Sequence, residues 1–230
     1  VPTFTCGKDV RITPRNGDTP THKVLAKNIK TEKSKKLTIA PYYGSIDLSY
    51  LPILDSVEIL KIGICKNSNL RQISKIRKLK WLSIDHLLEG NDFGEGLIHI
   101  KELDELFIHD RDPNLANYRD YNIILPNLEA INELLFIANT DSLFNLDFLD
   151  NVRPPLASTP PDPTNFYSND LIVLIENRFL NYCKSLFMCK AIKQYPDRIH
   201  IDKNYASRCT LEDIAKYCET VSTDDKHIKS

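Results

Sequence analysis

An α/β fold built from stacked units on a parallel sheet is what this sequence predicts, on three observations. An apolar residue recurs at every third position in four separate stretches, a short strand-like signature closes each stretch, and the closing leucines are almost evenly spaced. The stretches read Leu48-Leu51-Leu54-Val57-Leu60, Leu70-Ile73-Ile76-Leu79-Leu82, Leu97-Ile100-Leu103-Leu106 and Leu125-Leu128-Ile131-Leu134. Each is followed two residues later by another apolar side chain: Ile62, Ile84, Ile108 and Phe136. An amphipathic helix would show an i, i+3, i+4, i+7 stripe and a half-buried strand a period of two, and this grammar is neither. With Leu37 as the first anchor, the leucines at Leu37, Leu60, Leu82, Leu106 and Leu134 are separated by 23, 22, 24 and 28 residues.

The pattern resembles the leucine-rich repeat, L-x-x-L-x-L-x-x-N/C, whose repeats of about 20–29 residues each supply one strand and a looser turn. The resemblance implies a solenoid of about six rungs over residues 34–176, with a parallel concave sheet. Cys65 and Asn139 fill the N/C position, whereas Leu87 and Arg111 depart from it. Cys65 is expected to be a buried thiol, with a Cys6–Cys65 bridge as the alternative. The first strand is placed at Lys36–Ala40. Residues 1–33 hold turn formers such as Asn16-Gly17-Asp18 and Thr19-Pro20, and are assigned to an N-terminal cap, because a terminal repeat has one face without a neighbour. Extra residues of the fourth and fifth rungs fall around Gly90–Gly96 and Pro113–Tyr121. The proline-dense segment 153–166 suits neither strand nor helix, and is read as a loop inserted before the last strand, Leu171–Ile175. A domain linker is the alternative, although the 55 residues beyond Ile175 are few for an independent core.

Residues 177–230 carry four of the six cysteines. Clustering of that kind suggests a disulfide framework, since the spacings C-x5-C and C-x8-C miss the usual zinc knuckle. Four cysteines allow three pairings. The run Asn177 to Cys183, then Cys189 with Ile192, then Ile199-x-Ile201, Asn204, Cys209, Ile214 and Cys218, is similar to the cysteine-bearing C-terminal flank of secreted leucine-rich repeat proteins of Bacteroidota. The flank's N-A-x-G segment is replaced here by Asn204-Tyr205-Ala206-Ser207-Arg208. The resemblance implies a cap with helices near Lys184–Lys193 and Leu211–Tyr217. Analogy with other repeat caps implies the interleaved bridges Cys183–Cys209 and Cys189–Cys218.

Bulk properties exclude some functions. A net charge of −1 supplies no field to steer the chain onto nucleic acid. The lysine-rich run from Lys23 to Lys36 lacks interleaved aromatics and reads as a solvated face. No apolar run approaches the roughly 18 residues of a membrane span. No signal-peptide pattern is present; the chain begins at Val1, as either a mature exported chain or a trimmed one would, so export has to be argued from other features. Secretion or display at a cell surface is expected from the cysteines.

Side chains alternate along a strand, so the residues between core leucines should form outward columns on the concave face. One column is Lys36, Ile59, Trp81, Glu105 and Glu133; the next is Thr38, Lys61, Ser83, Phe107 and Leu135; the third is Ala40, Gly63, Asp85, His109 and Ile137. Trp81, the only tryptophan, together with Phe107, Leu135 and Ile137, would give an exposed apolar patch of the kind that anchors protein interfaces. Two alternatives stand beside a partner site. The loop 153–166 or the C-terminal cap folds over the patch, or a register step of one reverses every assignment. Asp85 and His109 hold equal phase on neighbouring rungs, with His86, Asp110 and Asp112 beside them, and His99 is placed facing solvent. An Asp–His pair on a shallow face is more often a surface ion pair than a metal or hydrolytic site. No phosphate loop, H-E-x-x-H, G-x-S-x-G or C-x-x-C occurs. The expectation is therefore a non-catalytic module without cofactor or metal, binding a protein or glycan through Ile59, Lys61, Trp81, Asp85, Glu105, Phe107, His109, Glu133, Leu135 and Ile137. A self-associating envelope component and a metal-dependent enzyme are the alternatives.

Overall fold

The computed structural model describes residues 9–12, 24–25, 35–39, 46–47, 55–63, 70–85, 93–109, 124–140, 143–156, 170–205 and 208–227. Its strands are β1 (Asp9–Ile12), β2 (Val24–Leu25), β3 (Lys36–Ile39), β4 (Ile46–Asp47), β5 (Ile59–Ile62), β6 (Trp81–Asp85), β7 (Glu102–His109), β8 (Ala130–Ala138), β9 (Ile172–Ile175) and β10 (Ile199–Asp202). Eight of them form one sheet in the order β1-β3-β5-β6-β7-β8-β9-β10, and β2 pairs with β4 separately. Every pairing is parallel. Within the large sheet each strand lies beside the next one along the chain. The sheet exceeds the expected six rungs at both ends. β1 comes from the pattern-poor N-terminal segment, and β10 from the cysteine-bearing flank.

The period of three has a direct cause. Between strands the chain turns with i to i+3 hydrogen bonds joining one ladder residue to the next: Ile76 N–H to Ile73 O at 2.8 Å, Ile100 N–H to Leu97 O at 2.9 Å and Leu128 N–H to Leu125 O at 3.4 Å. Side chains three apart eclipse in such turns, so every third residue points to the same side. That side is the core, where Ile73, Ile76, Leu82, Leu97, Leu103, Leu106 and Ile131 are buried with Leu37, Leu60 and the second strand residues Ile39, Ile62, Ile84 and Ile108. A short helix, α1 (Phe93–Leu97), lies in one of these connections. Burying each leucine or isoleucine contributes about 1.5–3 kcal/mol.

A fifth ladder, Leu143-Leu146-Leu149-Val152, is buried in the same way, with i to i+3 bonds at 2.8 Å from Leu149 to Leu146 and from Val152 to Leu149. It leads not into a free loop but into a strand-like segment beside β8. Arg153 pairs with Ala130, and the N–H groups of Arg153 and Leu156 donate to Glu129 O and Asn132 O. Pro154 and Pro155 lie buried between these two donors, where no amide hydrogen is required. Residues 153–156 of the expected loop 153–166 are therefore strand-like; the rest of it lies outside the described residues.

One register step changes the fifth anchor. Leu103 is opposite Ile131, but Glu105 is opposite Leu134, so β8 holds one residue more than β7 between these pairs. This β-bulge shifts the phase, and Leu135 and Ile137, not Leu134 and Phe136, continue the line of Leu106 and Ile108. Both are 0 % exposed. The outward placement of Leu135 and Ile137 is thus corrected: they are core residues.

The C-terminal end is closed by α2 (Leu186–Gln194) and α3 (Leu211–His227). Ser185 caps α2 by accepting a bond from Met188 N–H at 3.3 Å, and Phe187, Met188 and Ala191 enter the core. Thr210 and Asp213 form a reciprocal cap at the start of α3, and these bonds from Thr210 hold the Asp213 carboxyl below its usual range. Two disulfides tie the closure together, Cys183 to Cys209 and Cys189 to Cys218. This is the interleaved arrangement.

Asparagines stitch the last three strands. Three residues beyond Ile137, Leu174 and Ile201 stand Thr140, Asn177 and Asn204, all buried. Asn177 Oδ1 accepts from Thr140 N–H at 3.1 Å and from Thr140 Oγ1 at 2.9 Å, and its Nδ2 donates to Ile137 O at 3.0 Å. Asn204 Nδ2 donates to Leu174 O at 2.8 Å. Thr140, and not Asn139, therefore occupies the small-polar position of this unit, a second consequence of the bulge. The residue just before each of these positions, Asn139, Glu176 or Lys203, has φ of 55°, 54° or 49°.

Candidate functional site

The face of the sheet turned away from the core carries an aromatic row across three adjacent strands. Trp81 on β6 contacts Phe107 on β7 with ring centroids 4.8 Å apart, and Phe107 contacts Phe136 on β8 at 5.5 Å. His109 stacks on Phe136 at 5.2 Å and lies 6.5 Å from Phe107. Parallel pairing at equal phase produces this row: Ser83, Phe107 and Phe136 are Cα partners in turn, and Trp81 precedes Ser83 by two on the same face. Each aromatic contact contributes about 0.5–1.5 kcal/mol beyond its buried area. All four rings keep intermediate exposure.

Polar groups border the row. Trp81 Nε1–H donates to Glu105 Oε2 at 2.8 Å, which fixes the indole across the strand gap. Burial raises the Glu105 pKa above its ordinary value; the Trp81 bond opposes this, and the nearby Glu133 and Asp104 carboxylates add to it. Asp85 accepts from Ser83 Oγ at 3.1 Å and pairs with Lys61 Nζ at 2.9 Å. Asp85 and His109 are opposite one another as expected, yet the Asp85 carboxylate is engaged by Ser83 and Lys61 while the imidazole lies on the phenyl rings. His86, Asp110 and Asp112 fall outside the described residues, as do Ala40, Cys6 and Cys65. Among the described residues no three His, Cys, Asp or Glu side chains gather as a metal site. His99 is exposed and its Nε2–H donates to Ile76 O at 2.6 Å.

Of the expected binding residues, the structure brings together Ile59, Lys61, Trp81, Asp85, Glu105, Phe107 and His109 on this face. Glu133 sits exposed within the bulge, and Leu134 takes the place opposite Glu105. Leu135 and Ile137 leave the site for the core, and Phe136 replaces them. The sequence carries no signal for this exchange, because Leu134-Leu135-Phe136-Ile137 is apolar in either phase. Toward β9 the face closes: Val173, Cα partner of Phe136 on one side and His200 on the other, is 0 % exposed.

Among the described residues no helix is long and apolar enough to cross a membrane. Comparisons with known protein families, with curated proteins and with solved structures find no match for this chain.

Proposed function

We propose that this chain is a leucine-rich repeat solenoid that works outside the cell as a non-catalytic binding module, taking a protein or glycan on the Trp81–Phe107–Phe136 face. The observation that carries this reading is the aromatic row itself. Three large rings on consecutive strands, bordered by carboxylates, offer a partner much apolar area at little cost in side-chain entropy. The ladders at 22–24-residue spacing, the parallel sheet and the buried Asn177–Asn204 bonds support the repeat assignment. The two disulfides support an oxidising compartment, where such bonds persist.

Arrays of extracellular proteins and glycans, probed with the intact oxidised chain, test the proposal. Trp81→Ala and Phe107→Ala should each weaken capture by roughly 30-fold, the size of a hot-spot residue, while circular dichroism shows the chain still folded. Capture that survives both substitutions would move the function away from this face.

A further inference from the structure

We propose that the free edge of β10 is a second binding site, a groove that takes an extended, carboxylate-bearing peptide as an additional strand. Among the described residues β10 is the last strand of the sheet, and a cavity of about 470 Å³ runs along it, within the range of ligand sites. All six consecutive residues from Ile199 to Asn204 line this cavity. Neighbouring strand residues point to opposite faces, so a lining that includes every one of them lies along the edge and not over one face.

The backbone there is set for pairing. Leu171 N–H donates to Arg198 O at 2.8 Å and Glu176 N–H to Asp202 O at 3.0 Å, so the even-numbered residues of β10 turn their backbone groups toward β9. Ile199 and Ile201 turn theirs outward. An edge in that state is a template for strand addition.

The opposite wall is formed by Arg208, Cys209, Thr210 and Leu211. It is held in place by the Cys183–Cys209 disulfide and by Tyr182 OH donating to Cys209 O at 3.2 Å. Charge selects the occupant. Asp202 is balanced by Lys203 at 3.6 Å, and Lys203 also reaches Glu176 at 3.8 Å. Arg208 is exposed and has no ion-pair partner among the described residues. The groove thus has one unbalanced guanidinium, suited to bidentate bonding of a carboxylate. This site is separate from the aromatic face and does not depend on it.

Selection of a displayed library of short random peptides against the intact oxidised chain tests the inference. Proline-poor peptides bearing Asp or Glu should be enriched. Their binding should fall about tenfold or more on Arg208→Glu, from loss of a charge-assisted pair, and comparably on Ile201→Pro, which removes an outward N–H and leaves the bonds to β9 intact. Trp81→Ala should leave it unchanged. If Ile201→Pro does not fold, N-methylation of alternate amides in the peptide reads the same backbone bonds. Absence of enrichment, or peptides indifferent to Arg208→Glu or to N-methylation in both phases, would overturn the proposal. So would sedimentation showing a dimer that Arg208→Glu dissociates, which would assign the groove to a second copy of the chain.

Discussion

Asn177 Nδ2 donates to Asn204 Oδ1 at 2.9 Å, and the same oxygen receives Asn177 N–H at 3.1 Å. Two side chains 27 residues apart thereby satisfy backbone and side-chain groups across the last strands, where water does not reach.

Asn177→Ala removes a residue that is 0 % exposed and strips partners from Thr140, Ile137 and Asn204. With each abandoned buried group costing about 1–3 kcal/mol, the loss should be about 3 kcal/mol or more. Asn177→Asp keeps the acceptor but loses both donors and buries a charge, so it should be no better. Urea unfolding monitored by circular dichroism measures both; a loss below 1 kcal/mol, roughly that of an ordinary surface change, would contradict the role assigned to Asn177.

Glu176 adopts φ of 54°, a region that costs a side chain with Cβ about 1 kcal/mol and costs glycine almost nothing. Glu176→Gly should therefore stabilise the fold by roughly 0.5–1 kcal/mol, while Glu176→Ala should not. Equal midpoints for the two variants would show that the backbone there is unstrained.

The Cys189–Cys218 bridge closes a 29-residue separation. Chain-entropy arguments put its contribution at about 3–4 kcal/mol, against a total of about 5–15 kcal/mol for a domain. Cys189→Ser with Cys218→Ser should lower the thermal midpoint strongly, and the melting of α3 should be seen first by hydrogen exchange in residues 211–221.

Glu105 tests the electrostatics of the aromatic face. Its folded pKa lies above the ordinary 4.5 because burial outweighs the Trp81 bond. The folded state therefore holds more protons than the unfolded chain between those two values, and stability present below 4.5 is lost as pH rises through the folded pKa. Glu105→Gln keeps an acceptor for Trp81 and removes this dependence. The wild type should lose stability relative to the variant as pH rises from 4.5 toward neutrality, read through tryptophan fluorescence, for which Trp81 is the single reporter. Parallel pH profiles would contradict the buried carboxylate.

Much of the interior was legible before the fold was known. The ladders were readable because an i to i+3 turn imposes its period on side chains whatever lies next to it. The fifth ladder, Leu143 to Val152, has the same period but stands before prolines that suggested a loop. Trp81, Phe107, Glu105 and Lys61 lie on the face that strand alternation predicts, because their strands are in simple register. Phe136 was not, since four apolar residues in a row contain no phase; the bulge opposite Leu103–Glu105 supplies it. β1 was hidden because Asp9–Ile12 has no ladder before it.

The sequence by itself determined the every-third-residue ladders, which rest on local periodicity, and the cysteine pairing potential of the C-terminal end, which rests on composition; the helical closure was implied only by resemblance to a cysteine-bearing flank. Only the tertiary structure decided which side of β8 faces the core, which rings meet as a row, and that, among the described residues, β10 ends the sheet beside Arg208. Each of those depends on how one strand is seated against another, and pairing between distant segments is not written in the period of either one.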